Sequence, residues 1–220
     1  MSVRRVTPIS GIAFAVFFLA SVIVSNVPKN SASDSAWVAA YATHSKQAGH
    51  LATGILLVLA GLCFASFITY LWRTAAARGE GRDTAAASPL PVVAAGIAAA
   101  CMAAGGITMA ASSASALIYS QPLPGADLLR FANDAGFGLA GVAGMLAAAL
   151  SVLTVSAQAR AAGVFGVGMQ RFSMFVAVVL LAAVAFLPIL VLLVWAVAAT
   201  VVLARGGEAY ALAGAAAPAA

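Results

Sequence analysis

The chain has 220 residues, 64% of them hydrophobic and 8% charged, with a mean hydropathy of +1.06. An ordinary soluble domain carries about a quarter charged residues, so this chain cannot clothe a water-facing globule and is expected to have the lipid bilayer as its main solvent. The net charge of +5 comes from scattered residues with no basic helix or aromatic–basic interleaving, which argues against a nucleic-acid partner.

Two arginines, Arg4 and Arg5, precede an apolar run from Ile9 to Val27. That run is 19 residues, longer than the 7–15 of a signal-peptide core, so it reads as a retained first span. The polar stretch "SASDSAWVAAYATHSKQAGH" follows. Ser33 is a helix N-cap candidate and Asp34 suits a first turn. Trp37, Tyr41, His44 and Ala48 recur at helical spacing, and Trp and Tyr favour the headgroup level. A short interfacial helix over Ser33–Gln47 is therefore expected, leading into a second span over about 48–72, with His50 at its mouth.

Arg73–Pro89 mixes both charge signs with Gly and Ala and reads as a flexible connector. A third span is expected over about 91–118, and a fourth over about 133–157 with Asn133 and Asp134 capping its start. The last apolar block, Phe172–Leu203, has 32 residues and no charge. As one helix it would be about 48 Å long, against about 30 Å of hydrocarbon. It is either a hairpin of two spans, 172–187 and 189–203, turning near Phe186–Pro188, or one long helix kinked at Pro188. Residues 206–220 read as a disordered Ala-rich cytoplasmic tail, after a single transmembrane domain over 1–205. The fold class expected is an all-α polytopic transmembrane bundle.

Basic residues mark the cytoplasmic side of membrane proteins. With six spans and the N-terminus in the cytoplasm, eight basic residues fall inside and three outside; with five spans the split is seven to four. Six spans fit better. Nine of the eleven basic residues are Arg and alanine is abundant, which suggests a GC-rich bacterial genome and hence a bacterial plasma membrane.

Small residues allow helices to approach in lipid. Gly136, Ala140 and Gly144 form one such stripe in span 4, and Gly96, Ala100 and Ala104 form another in span 3; both are expected to face other helices. Cys63 and Cys101 lie within apolar runs and read as free thiols.

The ionisable groups outside the loops gather at one end of the spans: His44, Lys46, His50, Asp127, Arg130 and Asp134, with Asn133. His44 and His50 point about 120° apart on a helix, and metal pairs on one helix need spacing such as i, i+4. No metal, haem or other cofactor is expected. The cluster is a candidate outer-face site or only a polar rim.

The segment "GIAFAVFFLASVIVSNVPKNSASDSAWVAAYATHSKQ" and the terminal "FLPILVLLVWAVAATVVLAR" resemble a family of actinobacterial polytopic membrane proteins. The resemblance rests on Ser25 and Pro28 after span 1, the Ala-Ser before the acidic helix start, Tyr41 with His44, and Pro188 with Trp195. That family has no assigned activity, so the resemblance implies architecture and bacterial source, not an active site. No span interior carries the ionisable residue that usually marks ion coupling. The expected function is non-catalytic: a scaffold or accessory subunit acting on a membrane-protein partner or as a homo-oligomer, or a lipid- or small-molecule-binding bundle. A small transporter and a membrane enzyme are the alternatives.

Overall fold

The computed structural model describes residues 9–79, 88–181 and 187–215, side chains at 187 and beyond 205 excepted. Arg4, Arg5 and Arg82, which contribute to the charge bias, lie outside these residues. The described chain is all helical. In order, the helices are α1 (Ile9–Val24), α2 (Asp34–Tyr41), α3 (His44–Gly79), α4 (Leu90–Tyr119), α5 (Ala126–Phe137), a π-helical turn (Gly138–Ala143), α6 (Gly144–Ala161), α7 (Val167–Leu180) and α8 (Leu187–Ala215). Among the described residues, four stretches are long and apolar enough to cross a bilayer: His44–Gly79, Leu90–Tyr119, the joined rod Ala126–Ala161, and Pro188–Arg205. Helices α1 and α7 are apolar but shorter, at 16 and 14 residues.

Helix α4 is the spine. It packs on α3 along one face and on the α5–π–α6 rod along another. The adjacent glycines Gly105 and Gly106 make both approaches possible. A Cβ on Gly106 would stand 2.8 Å from the Gly54 carbonyl oxygen of α3, and one on Gly105 would stand 2.5 Å from that of Gly136 in α5. The contacts are reciprocal, since a Cβ on Gly54 would lie 2.6 Å from Gly106 O and one on Gly136 would lie 2.7 Å from Gly105 O. Backbones this close need bare glycine on both sides, the small-residue packing that substitutes for hydrophobic drive in lipid.

The Gly136–Ala140–Gly144 stripe lies against this face of α4, with Ala140 over Gly105 and Gly144 beside Cys101 and Ala98. The span 3 stripe is corrected. Gly96, Ala100 and Ala104 are exposed, and no atom lies within 4 Å of a Cβ built on Gly96. The packed face of α4 instead carries Ala94, Ala95, Ala98, Met102, Gly105 and Gly106. Four-residue spacing recurs by chance in so alanine-rich a helix, and it did not identify the face that packs.

The last apolar block folds back on itself. The Trp195 indole N–H donates to Ser173 Oγ at 2.9 Å although the two residues are 22 apart in sequence. On one continuous helix they would be about 33 Å apart. The long kinked helix is therefore replaced by an α7–α8 hairpin, whose turn falls outside the described residues. Helix α8 also continues through Ala215, into the stretch expected to be a disordered tail. Alanine, the best helix former, accounts for that extension; 216–220 lie outside the described residues.

Aromatic residues fill the core between α1, α3 and α8. Phe14 meets Phe64 at 5.1 Å between ring centroids, and Phe67 meets Trp195 edge-on at 6.0 Å. At one end of the bundle, Ser151 Oγ donates to Pro91 O, while Trp72 Nε1 and Gln158 Nε2 both donate to Ser88 O. The opposite end carries α2 as a cap.

Candidate functional site

Helix α2 starts where the sequence places it. Ser33 is the N-cap, and its hydroxyl accepts from the Ala36 N–H at 3.3 Å. The helix stops at Tyr41, short of Gln47, because Thr43 caps a new helix: its hydroxyl and carbonyl accept from the N–H groups of Lys46 and Gln47. His44 therefore opens α3 and is not on the α2 face with Trp37 and Tyr41. Those two rings are enclosed by protein. Trp37 is 0% and Tyr41 2% exposed, packed with Ala40 against Ala126 and Leu129 of α5 in a small second core. An aromatic stripe suits a helix partner as well as a headgroup layer, and α5 supplies the partner. Burial pushes the Tyr41 phenol above its ordinary value.

The polar residues of the expected outer cluster hold this cap in place. A helix leaves its last four carbonyls without partners. Three side chains from the start of α3 meet those of α2: Lys46 Nζ donates to Ala39 O at 2.7 Å, Gln47 Nε2 donates to Tyr41 O at 3.0 Å, and His50 Nε2 lies 3.3 Å from Ala40 O. The His50 ring also stacks on Tyr41 at 4.0 Å. At the other end of α2, Arg130 of α5 bonds Asp34 at 2.7 Å and the Ala32 carbonyl at 2.9 Å, and covers the Trp37 ring. Asp127 adds a second carboxylate to Arg130 at 3.3 Å.

His44 is exposed and makes none of these bonds. Among the described residues, the Asn133 and Asp134 side chains bond only to each other, at 3.4 Å. They do not cap span 4, because α5 already begins at Ala126 after Gly125. Of the seven polar residues singled out, Lys46, His50, Asp127 and Arg130 are tied to the cap or its clamp. Among the described residues, no three His, Cys, Asp or Glu side chains come close enough to share a metal ion.

A different feature offers space for a ligand. A cleft of about 310 Å³ lies between α1 and the π turn. Phe18, Ser21 and Val22 of α1 form one wall, continued by Ser25 and Val27. Phe137, Ala140 and Gly141 form the other, with Thr53 and Leu57 of α3, Met109 of α4 and Ile189 of α8 between them. Helix α1 packs on α3 and α8, while the π turn packs on α4, α5 and α6. The cleft is the space between α1 and the π turn, over the closely packed α3 and α4. Phe137, 37% exposed, stands at its edge, with its ring over Gly141. π turns inside α-helices concentrate at functional sites. Val27 belongs both to this lining and to the Trp37–Tyr41 core, so the cap adjoins the cleft. Sequence reasoning missed the cleft. Its polar residues, among those described, are Ser and Thr, and its walls come from five separate segments.

No family model, curated protein or solved structure matches the chain. Fold and composition define it as a helical bundle with the apolar helices of a multi-pass membrane protein.

Proposed function

We propose that this is a non-catalytic protein of a bacterial plasma membrane, with six spans and its N-terminus in the cytoplasm, that binds a lipid or another apolar small molecule in the cleft between α1 and the π turn. The observation that carries the reading is the cleft itself: concave, mainly apolar, and bordered by an irregular turn in an otherwise regular bundle. The polar cap supports it from the other side. Four of the seven polar residues that would have served an enzyme or transporter are engaged in holding α2 against α3 and α5. The orientation rests on the eight-to-three distribution of basic residues, which puts the cap outside.

The test is occupancy. The full chain, released from its native membrane into nanodiscs, should carry one apolar molecule by native mass spectrometry. Val22→Phe, which fills the cleft from its α1 wall, should lose that molecule while keeping the helical content of the parent. A parent without a bound molecule, or a filled variant that retains it, would refute the reading.

A further inference from the structure

The hydrogen bonds already made inside the cleft restrict the chemistry of its guest, given the reading above that it holds one. Two of its lining residues, Ser21 and Thr53, carry buried hydroxyls. Ser21 Oγ donates to Phe18 O at 2.6 Å. Thr53 Oγ1 lies 3.1 Å from Gly49 O and 3.4 Å from Ser21 O, and shares its hydrogen between them. A hydroxyl has one hydrogen and two lone pairs. Both hydrogens are committed to backbone carbonyls, so these side chains offer a guest lone pairs only. The Ser25 hydroxyl, half-buried, serves in either sense.

The backbone has the same bias. Helix α1 ends at Val24, beside the cleft, and its last carbonyls and the negative end of its dipole lie there. Among the described residues, none in the lining carries a charge. An anion in this cleft would find one hydroxyl able to donate, that of Ser25, against two that only accept and a negative helix end, with no cation among the described lining residues to offset its desolvation. A hydrogen-bond donor would meet waiting lone pairs. The volume, about 310 Å³, is at the low end of ligand sites, which span about 300–1,000 Å³, and suits one chain better than a two-chain lipid.

We infer that the guest is a single-chain amphiphile whose head donates hydrogen bonds and carries no negative charge, an alcohol or an amine. Its tail lies against Leu57, Met109 and Ile189, and its head against Ser21, Thr53 and the end of α1. Carboxylates and phosphates of the same chain length are rejected.

The experiment uses two photoreactive probes, decanol and decanoate each bearing a diazirine, on the full chain in phosphatidylcholine nanodiscs at about pH 9, where the acid is ionised. Labelling of the peptides containing Ser21–Val27, Thr53–Leu57 and Phe137–Gly141 is measured relative to labelling at the exposed Ile97 and Ile107 of α4, which corrects for partitioning. The alcohol should label the cleft at least about tenfold more than the carboxylate, a preference of about 1.4 kcal/mol. Thr53→Val keeps the shape and removes the lone pairs, so the preference should fall to within about threefold while alcohol labelling persists. Ser21→Ala gives the same readout should Thr53→Val fail to fold. Equal or stronger labelling by decanoate, or an unchanged preference in a folded variant, would overturn this inference and leave the cleft as a binding site. Absence of cleft labelling by either probe would overturn both.

Discussion

Gly96 and Gly105 make one substitution act in opposite directions on one helix, α4. Gly→Ala in a helix interior gains about 0.5–1 kcal/mol, because alanine loses less backbone freedom on folding. At Gly96 nothing lies within 4 Å of the added methyl, so the gain is kept. At Gly105 the methyl carbon would stand 2.5 Å from Gly136 O and 2.8 Å from Ala140 Cβ, about 0.9 and 0.6 Å inside the 3.4 Å of ordinary contact. The obstacles are backbone and a Cβ, neither of which can rotate away. The helices must part, and overpacking of this kind costs about 1–3 kcal/mol. Gly105→Ala should therefore lose up to about 2.5 kcal/mol net, and the two alanine variants, which share the helix gain, should differ by the overpacking cost of about 1–3 kcal/mol. Denaturation by SDS in mixed micelles, followed by circular dichroism, measures both. Equal shifts, or a Gly105→Ala protein as stable as the Gly96→Ala one, would show that the α4–α5 crossing is looser than described and would refute the close-packing argument.

Other substitutions examine the cap and the terminal hairpin. Arg130→Gln should free the N-terminal end of α2 at a loss of about 1–2 kcal/mol, from the ion pair and the contact with Trp37; hydrogen exchange of the α2 amides should rise about 5–30-fold with global stability little changed, and unaltered exchange would show that burial of Trp37 alone holds the cap. Ser173→Ala leaves the buried Trp195 N–H without its acceptor and should cost about 1–3 kcal/mol; a Ser173→Ala protein that melts with the parent would remove this bond from the account of the hairpin. Tyr41 has its folded pKa raised by burial, so its contribution is complete below about pH 10 and is lost as pH rises through the raised value. Absorbance at 295 nm and α2 exchange should change together in that alkaline window, and Tyr41→Phe should remove the coupled change; exchange that rises equally in the variant would assign the alkaline transition to another group.

Composition and hydropathy made the class of fold legible, because a span is a property of about twenty consecutive residues and needs no knowledge of neighbours. The Ser33 cap was equally local and equally legible. What escaped depended on partners. Trp37 and Tyr41 have the same spacing whether they face headgroups or α5, and only the position of Leu129 decides. Gly105 and Gly106 were passed over in favour of a periodic stripe, although two adjacent glycines present their bare faces about 100° apart and so can admit a helix on each side. Lys46 and His50 looked chemical because polar groups are scarce here, yet their partners are the carbonyls of a helix end that the sequence alone extended past Tyr41. The cleft had no local signature at all.

The π turn has a consequence for how this protein tolerates insertions and deletions. A wide turn of this type accommodates one surplus residue within an α-helix, and the surplus rotates everything before it by about 100° relative to everything after it. Helix α5 presents Leu129 to the cap and Gly136 to Gly105 only because of that offset, while α6 keeps Ser151 and Val152 buried. Deleting one residue within Gly138–Ala143 would restore a regular helix and, at positions other than Ala140 and Gly141, would remove no residue of the cleft lining. It would also set the two halves of the rod out of phase: either α5 would turn Arg130 away from Asp34, or α6 would turn Ser151 away from Pro91. The length of this turn, more than the identity of its residues, fixes the phase between the two ends of the bundle.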